Sequence, residues 1–102
     1  MGELVHVCSI KELKEKEKIV VEVDDESVLV LIVGDRIYAI SNICTHEYAE
    51  MVNGLVVGDT ITCPVHLSRF KLETGEVLNP PAEKSLKTYK VVERDNEVFI
   101  EL

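Results

Sequence analysis

No run in the 102 residues approaches the roughly 18 consecutive apolar side chains that a membrane-crossing helix requires. The opening MGELVHVCSI also lacks a basic segment followed by an apolar one, so neither export nor a membrane anchor is expected. Positive charge is scarce: 11 Lys+Arg against 19 Asp+Glu leave a net charge of -8, which repels phosphate backbones and makes nucleic acid a poor partner. A basic protein face would be attracted instead. Cysteine is limited to three, so they cannot all pair, and a reducing cytoplasm is the expected location. Repeats, linkers and phosphate-binding loops are missing, as are a nucleophile–base pair and a paired acidic catalyst, so no catalytic residue is assigned. The length suits one domain, 1–102, with one modest core.

What remains is β-rich. Alternating or β-branched segments at 4–7, 19–23, 28–33, 37–40, 60–62, 87–92 and 98–102 predict seven short strands, hence an all-β antiparallel sandwich or barrel. Asp24-Asp25, Gly34-Asp35, Gly58-Asp59, Thr74-Gly75 and Asp95-Asn96 supply turn chemistry between them. The run at 28–33 reads as a buried strand. Only 9–18, SIKELKEKEK, looks helical; it predicts one short turn with Ser9 as cap and Glu12 as its reciprocal partner, and its alternating charges mark a solvated face.

Two stretches resist assignment as strands, 42–54 and 63–68, and each contains one cysteine and one histidine. Cys44-Thr45-His46 and Cys63-Pro64-Val65-His66 together read C-x-H-x16-C-x-x-H. One such pair means little, because isolated cysteines and histidines usually pack in cores. Two pairs on separate loops point to a metal. Mixed sulfur and nitrogen donors suit either tetrahedral zinc or an iron–sulfur cluster, although common zinc fingers pair like with like. A third irregular stretch, 78–85, carries the stiff Asn79-Pro80-Pro81.

At these residues the chain resembles the Rieske ferredoxin family, over 4–102. Gly54 and Gly58 match the family's loop glycines, Cys63 to His66 its Cys-Pro-x-His, and Phe70 with Thr74-Gly75 its downstream aromatic and turn; Leu86-Lys87-Thr88-Tyr89-Lys90-Val91 looks like its final strands. The resemblance implies a [2Fe-2S] cluster, one per chain, with Cys44 and Cys63 on the inner iron and His46 and His66 on the outer. It also implies an incomplete antiparallel β-sandwich with a small cluster-binding subdomain of two loops, roughly 42–82, covered by a proline loop at 79–82. Two neutral imidazoles in place of thiolates leave the oxidised cluster formally uncharged, which raises its potential relative to a four-cysteine site. Ferric iron would also make a bound imidazole more acidic, so the potential is expected to fall by about 59 mV per pH unit above the oxidised-state histidine pKa.

High-potential relatives brace the cluster with a disulfide; Ala49 and Val65 occupy the matching positions, and the chain sides with the low-potential, oxygenase-associated branch. Ser68 matches a serine that bonds a cluster sulfur in the high-potential branch, while Phe70 replaces a tyrosine, so an intermediate potential is expected. Leu67 stands where the family has glycine, and either strains the loop or adds an apolar rim; Lys71 often has an acidic counterpart. Cys8 reads as core, His6 as surface, and Tyr48 as either a docking aromatic or a cluster cover. The implied function is one-electron transfer from a flavin reductase to a terminal oxygenase; a reductase small subunit, such as that of nitrite reductase, and a zinc-stabilised domain are the alternatives.

Overall fold

The computed structural model describes residues 3–44, 49–65, 67–79 and 84–101. Nine strands and one helix follow in order: β1 Leu4–Ser9, α1 Ile10–Lys16, β2 Lys18–Val23, β3 Glu26–Val33, β4 Arg36–Ser41, β5 Leu55–Val57, β6 Thr60–Thr62, β7 Arg69–Lys71, β8 Thr88–Arg94 and β9 Glu97–Glu101. All pairings are antiparallel, in a six-stranded sheet ordered β1-β9-β8-β4-β3-β2 and a three-stranded sheet ordered β5-β6-β7.

All seven expected strands are present, and β5 and β7 are additional. Each has three residues, as β6 does, but each directly follows one of the irregular stretches that end at 54 and 68. The smaller unit is therefore more than two loops: its loops grow from a meander. The β2–β3 and β8–β9 hairpins turn at Asp24-Asp25 (φ 48°, 66°) and Asp95-Asn96 (φ 53°, 65°). Two successive left-handed residues give the mirror-image turn whose twist suits a hairpin, and Asp and Asn tolerate that region.

The helix runs seven residues rather than one turn, and Leu13 buries its apolar side. Ser9 Oγ accepts the Glu12 N–H at 3.0 Å as expected. The reciprocal half of the cap is not formed, because Lys16 Nζ holds the Glu12 carboxylate at 3.1 Å one turn on, and Ser9 is itself the last residue of β1, paired with Glu97.

β4 and β8 pair at two positions, Ala39↔Tyr89 and Ile40↔Thr88, and there the large sheet folds over on itself. One core is shared by both halves: Val28, Val30 and Ala39 from β3 and β4 meet Cys8, Val98 and Ile100 from β1 and β9, with Leu13. This is an incomplete sandwich. The intervening side chains of β3 and β4, Leu29, Leu31 and Ile40, face the other way into a second core with Ile61, Phe70 and Leu72 of the small unit. The fully buried run 28–31 thus divides two cores, which explains why it shows no polar alternation.

Candidate metal centre

The first loop leaves β4 at Asn42, a fully buried amide whose every polar group is used. Its N–H donates to the Ser27 carbonyl at 2.9 Å, and its carbonyl accepts from Met51 N–H at 2.5 Å. Its side-chain Nδ2 donates to Ser27 Oγ (3.2 Å) and Glu50 Oε1 (3.4 Å), and Oδ1 accepts from Val52 N–H (2.9 Å). Beyond this neck Ile43 bridges Glu50, and the Cys44 N–H donates to the Ala49 carbonyl at 2.9 Å. The returning strand ends in a 3-10 turn, Met51–Asn53, that lay unmarked within the irregular stretch.

The second loop joins β6 to β7 beyond the Thr62↔Arg69 pair, and the Cys63 N–H donates to the Ser68 carbonyl at 2.7 Å. Both loops therefore use one device: a cysteine whose N–H is clipped to the carbonyl five residues on. Positions 46 and 66 fall between the clipped ends in sequence; His46, His66 and Tyr48 lie outside the described residues, as do positions 80–83 of the proline loop.

Cys44 (4% exposed) and Cys63 (0%) sit in one contiguous apolar cluster with Met51, Ile61, Phe70 and Leu72, and neither forms a disulfide. Ala49 and Val65 pack against the same cluster. Among the described residues no three His, Cys, Asp or Glu side chains converge on one point, so the described donors are two thiols. Two unbridged soft donors buried together on a pair of matched loops fit an iron–sulfur group, which requires thiolates shielded from water.

The remaining sequence candidates fall away from this centre. Cys8 belongs to the sandwich core, where burial pushes its thiol pKa up and keeps it inert, with Glu12 and Glu97 adding to the effect. His6 is exposed on β1, with Nε2 2.6 Å from Glu97 Oε1 and its ring edge-on to Phe99. Ser68 is fully buried beneath the second loop. Leu67 adopts φ 59°, so the expected strain is present, and its side chain is 64% exposed.

Three supports escaped the sequence reading. Asn42 is the first. Asn79, ahead of the two prolines, is the second: its Oδ1 accepts the Arg69 N–H at 2.7 Å and its Nδ2 donates to the Leu67 carbonyl at 3.3 Å, bracing the second loop. The third is Lys18 of β2, whose Nζ donates to the carbonyls of Val52 (2.8 Å) and Gly54 (3.2 Å). Gly54 itself has a steric basis, since a Cβ there would run into the Thr62 carbonyl oxygen.

A folded-over antiparallel sandwich carrying a small three-stranded unit, with one buried thiol at the base of each of two clipped loops, defines an iron–sulfur class of protein. The family model of the Rieske [2Fe-2S] domain matches residues 3–90, and the chain belongs to that family; its cofactor is a [2Fe-2S] cluster. The ferredoxin component of a naphthalene 1,2-dioxygenase system of Pseudomonas aeruginosa is 34% identical over 98 residues, covering 96% of this chain and 94% of that one. The solved ferredoxin of carbazole 1,9a-dioxygenase from Nocardioides aromaticivorans IC177 superposes with a TM-score of 0.88 at 32% identity, covering 95% of each chain. A solved complex of reduced oxygenase and oxidized ferredoxin in carbazole 1,9a-dioxygenase contains a chain that matches at 30% identity and a TM-score of 0.86, covering 94% of this chain and 99% of that one.

Proposed function

We propose that this protein is a ferredoxin that takes single electrons from a reductase and delivers them to a terminal oxygenase, holding its cluster through Cys44, His46, Cys63 and His66. The observation that carries the ligand assignment is the matched pair of loops, each with a buried cysteine clipped to the carbonyl five residues on. The partner assignment draws on the relatives, which are named as ferredoxin components of dioxygenase systems and are similar over nearly the whole chain. A separate carrier is thus favoured over a reductase subunit, and the family match sets aside the zinc-stabilised alternative.

Bound between these loops, the cluster supplies a site that accepts and releases one electron. The protein's residues do the rest. The thiolates of Cys44 and Cys63 sit in an apolar core, where a low dielectric makes charge on the site energetically expensive. Neutral imidazoles from His46 and His66 would add no negative charge, leaving the oxidised site formally uncharged where four thiolates would give a dianion. Were a hydroxyl to bond a cluster sulfur, the buried Ser68 would be the candidate, and an unchanged potential in Ser68→Ala would dispose of that contact. We assign the whole chain, 1–102, to one domain with its cluster-binding part at 42–82, and place it in the cytoplasm. Three cysteines outside any disulfide are in keeping with that location, and no helix among the described residues is long and apolar enough to cross a membrane.

Anaerobically prepared protein is expected to contain two irons and two labile sulfides per chain and to give an electron paramagnetic resonance signal only when reduced. Cys44→Ser and Cys63→Ser should each lose the cluster, and His46→Ala and His66→Ala should do the same or lose the Rieske signal. Wild-type protein free of iron and sulfide would overturn the reading.

A further inference from the structure

We propose that Lys18 is a positioning residue for the cluster: its ammonium clamps the closing half of the first loop, and its charge favours the reduced state. This rests on the cluster assignment above and adds a residue that no ligand motif contains.

The backbone around Lys18 is pinned to the main sheet. Glu17, at φ 69°, ends α1, and its carbonyl accepts the Ile32 N–H at 3.1 Å. From that fixed point the Lys18 side chain leaves the sheet and donates to the Val52 and Gly54 carbonyls, at the end of the 3-10 turn. Carbonyls at the end of a helical turn lack partners within the turn, and a cation suits them. An open pocket of about 340 Å³ separates the two units here, lined by Glu17, Lys18 and Leu31 on one side and Val56 on the other. Asn42 Oδ1 accepts the Val52 N–H while Lys18 donates to the Val52 carbonyl, and the adjacent Met51 is fully buried in the apolar cluster that contains Cys44 and Cys63. Gly54 in turn packs against the Thr62 carbonyl, one residue before Cys63. The clamp therefore reaches both cysteine loops.

The charge has no ion-pair partner among the described residues, although Glu17 lines the same pocket and the protein as a whole carries -8. Its partners are neutral carbonyls, and it is half-buried, so salt and water screen it less than the exposed lysines of α1. A bound cluster would gain one negative charge on reduction. A cation fixed to the closing half of the loop that carries Cys44 would favour that state over the uncharged oxidised one.

The test compares cluster-loaded wild type, Lys18→Met, Lys18→Gln, Lys18→Arg and the surface control Lys11→Met by redox titration, followed in visible absorbance, with loss of the cluster to a chelator as second readout. Lys18→Met and Lys18→Gln should each lower the equilibrium constant for one-electron reduction about tenfold, which is about 59 mV. Lys18→Arg should stay within about twofold of wild type. Lys18→Met, which lacks any donor, should lose its cluster several-fold faster than Lys18→Gln, which keeps one. Wild-type potentials in the two neutral variants, or an equal shift in Lys11→Met, would overturn the proposal. If Lys18→Met does not load, the Gln and Arg variants decide. Absence of iron and sulfide from the wild type would instead overturn the cluster assignment.

Discussion

Leu67 sets the two demands on a loop residue against each other. At φ 59° it occupies a region that costs an L-residue about 1–2 kcal/mol, and at 64% exposure it recovers little by burial. Leu67→Gly removes that strain and gives back part of the gain as unfolded-state entropy, for a net stabilisation of about 0.5–1 kcal/mol. The check is a Tm raised by a few degrees in thermal melts; a lower Tm would show that the side chain holds the loop. Tyr89 offers a second residue-scale test. Burial, then its 2.9 Å bond to Glu26 Oε1, pushes its pKa up to about 12, while bonds from Lys87 and Tyr89 hold Glu26 below its usual value. A raised folded-state pKa means stability that is complete below the unfolded tyrosine value near 10 and lost as pH rises toward 12. Absorbance at the tyrosinate band should therefore show one tyrosine ionising near pH 12, and Tyr89→Phe should abolish that step and flatten the alkaline decline in Tm. Ionisation of this tyrosine near 10 would contradict the burial argument. For Glu26 the sign reverses: its contribution is present above the ordinary carboxylate range and disappears as pH falls through its lowered value.

The decisive element is β3, because its two faces serve different cores. Leu29→Ala opens a cavity on the cluster side and should cost about 2–5 kcal/mol, with faster loss of iron to a chelator. Val28→Ala opens one in the sandwich core, so it should lower Tm while iron loss, compared at equal distance below each Tm, stays close to wild type. Equal acceleration by both variants would mean the two cores are one cooperative unit. The run of β-branched and leucine residues made β3 legible as buried, yet alternation alone could not assign its faces to different partners. β5 and β7 are not marked by the sequence because they adjoin the irregular loop stretches ending at 54 and 68, although Gly58-Asp59 already requires a strand on its far side. The helix ran longer than its sequence suggested because tertiary burial of Leu13 adds stability that propensity does not count.

At the scale of the whole molecule, a net charge of -8 should steer encounters with basic partners. Electron transfer from the reduced protein to a basic haem protein such as cytochrome c should slow about tenfold from low to high ionic strength, as measured by stopped-flow absorbance. A rate indifferent to salt would remove long-range charge from the account. By itself the sequence determined what depends on residue type and short spacing: the C-x-H and C-x-x-H pattern on which the proposed ligand set rests, the aspartate and asparagine turns that accept positive φ, the strand-rich class, and the misfit at Leu67. Only the tertiary structure decided that Cys44 and Cys63 share one apolar cluster, that Asn42 closes the neck of its loop, and that Lys18 reaches carbonyls 34 and 36 positions away. Such contacts join segments distant along the chain through hydrogen bonds and burial, and these depend on which surfaces meet once the sheet has folded over, a property that no local pattern of residues carries.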